Sequence, residues 1–166
     1  MITFIDTTDI KITDKTAVVI GKFDGEHRGH RKLFRTLKDE ANKKGLKTVV
    51  FSFRTLPSNI VRNKNTTQIF TNAERRKKLE ELGIDYYIEY PFDMNIAKLT
   101  GEEFLTNILI EKLGMAEIVA GDDAAFGYKK SGNIELLNRL SKTLGYDVKI
   151  ITKEKDDFQN DISSTL

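Results

Sequence analysis

Thr16-Ala17-Val18-Val19-Ile20-Gly21-Lys22-Phe23-Asp24-Gly25-Glu26-His27-Arg28-Gly29-His30 changes character twice within fifteen residues. Its first five residues are a short apolar run, mostly β-branched and bounded by Gly21, which predicts a strand buried on both faces of a parallel sheet. Beyond His30 the periodicity becomes helical. Leu33, Phe34, Leu37 and Ala41 fall on one stripe, and Lys43-Lys44-Gly45 then supplies two basic residues and a C-terminal glycine. Gly21, Gly25 and Gly29 occupy the junction. A strand, a glycine-bearing turn and a helix start together make a phosphate-binding shape, because the free N–H groups of a helix N-terminus attract an anion.

The same alternation continues along the chain. Lys47 to Phe53 reads as a second strand, and Arg54 to Phe70, with Pro57, three basic residues and little periodicity, as a long loop. Loops of that length inside a domain are more often functional than filler, the competing reading being a solvated excursion. Thr71 or Asn72 caps the next helix, with Glu74 in its first turn, Leu79 and Leu82 as an apolar edge and Gly83 as the stop. Asp85 to Glu89 is a third strand, ended by Pro91-Phe92-Asp93. Thr100-Gly101-Glu102-Glu103 is a capping box, opening a helix with Phe104, Leu105, Ile108, Leu109 and Leu113 on its apolar face and Gly114 at its close.

Ala116 to Ala120 is a fourth strand, followed by a second glycine-bearing turn, Gly121 to Gly127. Ile134, Leu136, Leu137, Leu140 and Leu144 mark another amphipathic helix, and Tyr146 to Ile151 a fifth strand. Residues 1–14 alternate weakly, enough for a short edge strand. Strands alternating with helices predict a Rossmann-like α/β fold, an open parallel sheet of about five strands with helices on both faces. Ligands of such sheets bind beyond the carboxyl ends of the strands, where the strand order reverses. The unusual stretches all follow strands: Gly21 to His30, Arg54 to Phe70, Pro91 to Asn95, Gly121 to Lys130 and the Ser163-Ser164-Thr165 segment.

Composition narrows the function classes. A length of 166 residues fits one domain over 1–166, with no linker or internal repeat to divide it. Lysine and arginine number 27 against 25 acids, a balance of +2 that argues against nucleic acid or an anionic membrane as the main partner. There is no cysteine, hence no disulfide or thiolate-bound metal, and the cytoplasm is the default address. No run approaches the ~18 apolar residues of a spanning helix.

The two histidines, His27 and His30, are the only ones in the chain. Three apart and separated by Gly29, they can project from a first helical turn toward one ligand, and such rings suit a polyphosphate. A zinc pair is the rival reading, but zinc takes three or four protein ligands. Two surface histidines without a role is the plain alternative. Gly121 to Gly127 as a simple turn, Ser163 to Thr165 as a frayed tail, and Lys129 and Lys130 as solvated charges are the corresponding plain readings elsewhere.

Gly21-x-Phe23-Asp24-Gly25-x-His27-x-Gly29-His30 resembles the signature of the FMN adenylyltransferase module of bacterial FAD synthetases, within the H-x-G-H nucleotidylyltransferases. Later stretches agree in order: Leu82-Gly83-Ile84-Asp85, Pro91-Phe92, Glu102-Glu103-Phe104, Gly121-x-Asp123-x-x-Phe126-Gly127 with Gly132, and Ile162-Ser163-Ser164-Thr165. The resemblance implies an in-line attack by the FMN phosphate on the α-phosphorus of ATP, giving FAD and pyrophosphate, with Mg²⁺ carried on the phosphates. It implies that His27 and His30, with Asp24, serve the catalytic step. Gly21, Phe23, Gly25, Gly29, Asp123, Phe126 and Gly127 would line the nucleotide cleft, and Ser163, Ser164 and Thr165 would donate to phosphate oxygens. The chain departs from the family pattern at Leu56, where a site histidine is usual, and at Ala124 and Ala125, where an aromatic and an arginine are usual. It also ends at Leu166, before the riboflavin kinase domain that the pattern leads one to expect. The departures leave open a different phosphorylated acceptor, or a flavin- or nucleotide-binding module with little turnover.

Overall fold

A computed structural model of the chain describes residues 1–21, 28–53, 72–122 and 124–151, with side chains from 32 and from 76 in the helices that begin at 28 and 72. Among these residues six strands form a single sheet. They are β1 (Ile2–Ile5), β2 (Thr16–Ile20), β3 (Lys47–Phe53), β4 (Tyr86–Tyr90), β5 (Met115–Gly121) and β6 (Asp147–Ile151). Their spatial order is β1-β4-β3-β2-β5-β6, and every pairing is parallel. Five of the strands are those the sequence predicts, and β1 is the short edge strand expected within residues 1–14. Ile2 there is 54% exposed, so an edge strand with one bare side writes only a faint alternation into the sequence.

The β-branched run of β2 is buried on both faces, as its composition requires. Alternate side chains divide between two layers. Ala17 and Val19 pack with Val50, Tyr87 and Val119 against Leu33, Phe34, Leu37 and Ala41 of α1 (Arg28–Lys44) and Leu79 of α2 (Asn72–Glu81). Val18 packs with Val49, Phe51, Ile88 and Ile118 against the opposite layer. That layer is α4 (Gly101–Phe104), its continuation Leu105–Ile110, and α5 (Ile134–Leu144). A one-turn helix, α3 (Met94–Ala97), precedes α4 and is capped by the Asp93 carboxylate, which accepts from the Ile96 N–H.

Three local differences from the sequence reading have physical causes. The third strand starts one residue late because Asp85 is a fastener. Its carboxylate accepts from the backbone N–H and hydroxyl of Thr48 (2.9 and 3.1 Å), while the Thr48 hydroxyl accepts from the Asp85 N–H (2.8 Å). Leu82 is 46% exposed, because the chain has already left α2 and turns through Gly83 at φ 83°. The helix after Thr100 widens to π geometry over Leu105–Ile110, with N–H groups reaching five residues back, Glu111 to Thr106 and Leu113 to Ile108. The widening still sets Leu105, Ile108, Leu109 and Leu113 against the sheet.

At the amino edge of the sheet an acid cluster is sealed under the last turn of α1. Glu117 of β5 is 1% exposed and faces Glu40 of α1, and Lys44 bridges the two. Its Nζ lies 3.5 Å from Glu40, 3.1 Å from Glu117 and 3.1 Å from Asp147 of β6. The Glu117 contact lacks hydrogen-bond alignment at Oε1. Lys43 adds a second cation 3.4 Å from Glu40.

Candidate nucleotide site at the carboxyl edge

Chain order runs outward from β2 through β3 to β4, and then returns to place β5 on the other side of β2. Val19 stands beside Val119, so the ends of β2 and β5 adjoin where the direction of winding reverses. Backbones that diverge in opposite directions from neighbouring strands leave a crevice there.

On the β2 side, Gly21 prolongs the ladder by one bond, its N–H donating to Phe51 O at 3.1 Å. The chain re-enters the described structure at Arg28, so Gly29 and His30 belong to the first turn of α1. A first helical turn offers N–H groups without intrahelical partners and the positive end of the helix dipole, both suited to phosphate. Phe23, Asp24, Gly25 and His27 lie outside the described residues, as do Asp123, Ser163, Ser164, Thr165 and the Arg54 to Phe70 loop with Leu56.

On the β5 side the turn after Gly121 is closed by Ala124 N–H to Gly121 O at 3.2 Å. Phe126 and Gly132 form an antiparallel bridge with bonds of 3.0 and 2.7 Å, and the Phe126 ring lies directly on Gly132. Gly127 adopts φ 79° and ψ 177°, a region in which a Cβ is disfavoured, and backs onto Gly101 and Thr100. Gly101 in turn backs onto Gly132. Side chains at these three glycines would collide with backbone or with the Phe126 ring, so α4 and the turn approach as bare chain. The Gly101 N–H donates to Ser131 Oγ at 2.8 Å and fixes the contact. Phe126 and Gly127 are thus built into the wall of the turn, while Ala124 is half-buried and Ala125 exposed.

An aromatic row leads from this wall along the α4 face, and sequence reading did not assemble it. Phe126 packs on Phe104 (5.8 Å between ring centres), Phe104 on Phe51 and Phe53 (5.5 and 5.8 Å), and Phe53 edge-on to Phe92 (5.1 Å). Tyr90 joins at Phe51, its hydroxyl pKa raised by burial and further by Asp93. Phe92 is 42% exposed, so the row begins in the core and surfaces at the carboxyl edge. The α1 face of the same edge carries a buried carboxylate, Glu89, which accepts from the Tyr87 hydroxyl at 2.7 Å. Its signal was one acid in an otherwise apolar strand. Among the described residues no group of three His, Asp or Glu side chains could hold a metal ion, and no helix is long and apolar enough to cross a membrane.

The chain matches the sequence profile of a family described as FAD synthetase over residues 9–166. Bifunctional riboflavin kinase/FMN adenylyltransferase of Buchnera aphidicola subsp. Schizaphis graminum is 36% identical over 139 residues, 83% of this chain and 45% of that protein. The protein of that description from Escherichia coli K12 is 33% identical over 132 residues, 79% of this chain and 42% of its own length. A solved structure described as a macrolide-efflux protein from Streptococcus pneumoniae superposes with a TM-score of 0.75 at 31% identity, covering 91% of this chain and 50% of that one. The chain therefore spans about half the length of these relatives.

Proposed function

This chain belongs to the FAD synthetase family, and from that premise we propose that it transfers the adenylyl group of ATP to FMN, releasing pyrophosphate and forming FAD. The observation that carries the proposal is the meeting of β2 and β5 at the switch point, which sets the Gly21 end and the first turn of α1 beside the Gly121 turn. The FMN phosphate oxygen attacks the α-phosphorus of ATP, and the bond to the bridging oxygen of pyrophosphate breaks. No covalent enzyme intermediate is required, so the protein's task is alignment and the neutralisation of charge on the departing pyrophosphate.

His27, His30 and Asp24 are assigned to that task, with Gly29 letting the triphosphate approach the α1 backbone. Gly21, Phe23 and Gly25 line the nucleotide side, Asp123, Phe126 and Gly127 the opposite wall, and Ser163, Ser164 and Thr165 donate to phosphate oxygens. Mg²⁺ would enter on the triphosphate, whose hard oxygens suit it and whose charge it partly neutralises. The surfacing aromatic row at Phe53 and Phe92 supports a planar acceptor, since an exposed ring edge favours stacking over a flat heteroaromatic. A cytoplasmic address fits a reaction that consumes ATP.

The test is direct. Protein, MgATP and FMN are mixed, and FAD and pyrophosphate are followed by chromatography. FAD should accumulate in equimolar amount with pyrophosphate, and His30→Ala should lower kcat by about 10²-fold. Bound ATP without FAD would sink the acceptor assignment, and an unchanged His30→Ala rate would remove the histidine from the phosphate clamp.

A further inference from the structure

The turn from Phe126 to Gly132 holds its backbone in an unusual state. After Gly127, Lys129 (φ 52°, ψ 33°) and Lys130 (φ 56°) are both left-handed, a region disfavoured for any residue with a Cβ. Among the described residues only Asp6 shares this property without being glycine. Glycine would adopt both conformations without strain, so these two side chains are carried against the preference of their own backbone.

The surroundings keep that state rigid. The Phe126–Gly132 bridge clamps both feet of the turn. Tyr128 N–H donates to Leu99 O, Lys130 N–H to Gly127 O and Ser131 N–H to Tyr128 O, while Ser131 Oγ accepts from Gly101. Both lysines are exposed, and neither forms an ion pair with a described carboxylate. Lys129 Nζ stands 5.4 Å over the Tyr128 ring, which steadies the ammonium without neutralising it. Two cations without a described carboxylate partner are therefore displayed by an anchored turn that follows the carboxyl end of β5 and packs on Leu99, Thr100 and Gly101.

We propose that Lys129 and Lys130 form a phosphate-binding pair for a reactant of the β2/β5 crevice. The proposal rests on the adenylyl-transfer reading for the identity of the reactants, both of which carry phosphate. The anchored backbone holds the two stems at neighbouring positions, so both ammonium groups can reach one anion, and their attraction weakens as salt screens it. The backbone sets where the two side chains leave the turn, and the charge does the binding.

The experiment compares the wild type with Lys129→Asn/Lys130→Asn and Lys129→Arg/Lys130→Arg. Asparagine tolerates the left-handed region and lacks the charge, whereas arginine keeps the charge. Binding of ATP, inorganic pyrophosphate and FMN is measured by calorimetry at low and high salt, beside the thermal midpoint. The asparagine pair should bind at least one ligand about tenfold more weakly at low salt, with the midpoint unchanged and the arginine pair restored. Weakening of ATP and pyrophosphate alone identifies the triphosphate as the ligand, and weakening of FMN alone identifies the acceptor phosphate. Unchanged affinity for all three ligands overturns the proposal. So does a loss that arginine fails to restore, a loss that accompanies a lower midpoint, or a wild type that binds none of them. Failure of the wild type to make FAD bears on the reaction above and leaves this readout intact, because it measures binding.

Discussion

Glu117 shows how far one side chain can depart from what its position in a strand suggests. Burial raises its pKa and the neighbouring Glu40 raises it further, whereas Lys44 acts in the opposite direction. Glu40 is lowered, chiefly by the hydrogen bond from Glu117. When the pair holds a single proton, these opposite directions favour Glu117 as its seat. Burial tends to lower the Lys44 pKa, but the hydrogen bond to Asp147 and the Glu117 carboxylate 3.1 Å away outweigh it and hold the ammonium well above its usual value. A folded state that holds this proton more tightly than the unfolded chain loses stability as pH rises from the ordinary value of 4.5 to the raised one. Glu40 has the opposite sign, and its contribution is lost as pH falls below 4.5 through its lowered value. Glu117→Gln should keep the donor to Glu40 and remove the titration. In urea unfolding across that window, the variant should gain on the wild type as pH rises. Parallel pH profiles would show that Glu117 is ionised throughout. Neither acid was legible as buried, because a strand spelled Ala-Glu-Ile-Val-Ala gives no sign that a lysine from a distant helix will reach it.

Elements were more readable than single side chains, and the capping box is the clearest case. Thr100 Oγ1 accepts from the Glu103 N–H at 3.2 Å and Glu103 Oε1 accepts from the Thr100 N–H at 2.9 Å, as the spacing predicts. Removing a threonine cap costs about 1 kcal/mol. Thr100→Ala should lower the unfolding free energy by that amount, with Thr100→Ser close to the wild type; equal losses in both variants would mean that packing of the methyl group matters more than the cap. Helices α1 and α5 were legible from their stripes, and the closing Gly45 of α1 was legible as well, whereas the ends of α5 were not read. Gly45 and Gly145 take left-handed φ of 70° and 78°, and Asn133 caps α5 through Leu136 N–H. The π segment was not legible, since its register depends on fitting Leu105 and Leu109 to the sheet rather than on any local preference. The aromatic row was hidden for a similar reason. Its members come from β3, β4, α4 and the β5 turn, and only the strand order brings them together.

For the molecule as a whole, the crevice follows from the strand order; the parallel α/β class was legible from strands alternating with helices, the order itself was not. Gly21 follows β2, Gly29 and His30 stand in the first turn of α1, and Phe126 and Gly127 belong to the turn after β5. Stability should be graded across the sheet in the same way. Val18, Val19, Val49, Val50 and Val119 are fully buried in β2, β3 and β5, three of the four inner strands, whereas among the described residues β1 and β6 have one unpaired side. Hydrogen exchange should therefore be slowest in β2, β3 and β5, and faster by orders of magnitude in β1. Equal protection of Phe4 and Val19 would contradict that gradient.

The strand order also sets a timetable for biosynthesis. Thr48 can join Ala17 soon after it is made, but Val119, the neighbour of Val19 on the other side, lies about a hundred residues downstream. At a ribosomal rate of ~5–20 residues per second, that interval lasts about 5–20 s. Throughout it, one border of an apolar strand is open to any other extended chain. The crevice comes into being only when β5 closes that border, so no nascent chain shorter than this can present both walls to a nucleotide.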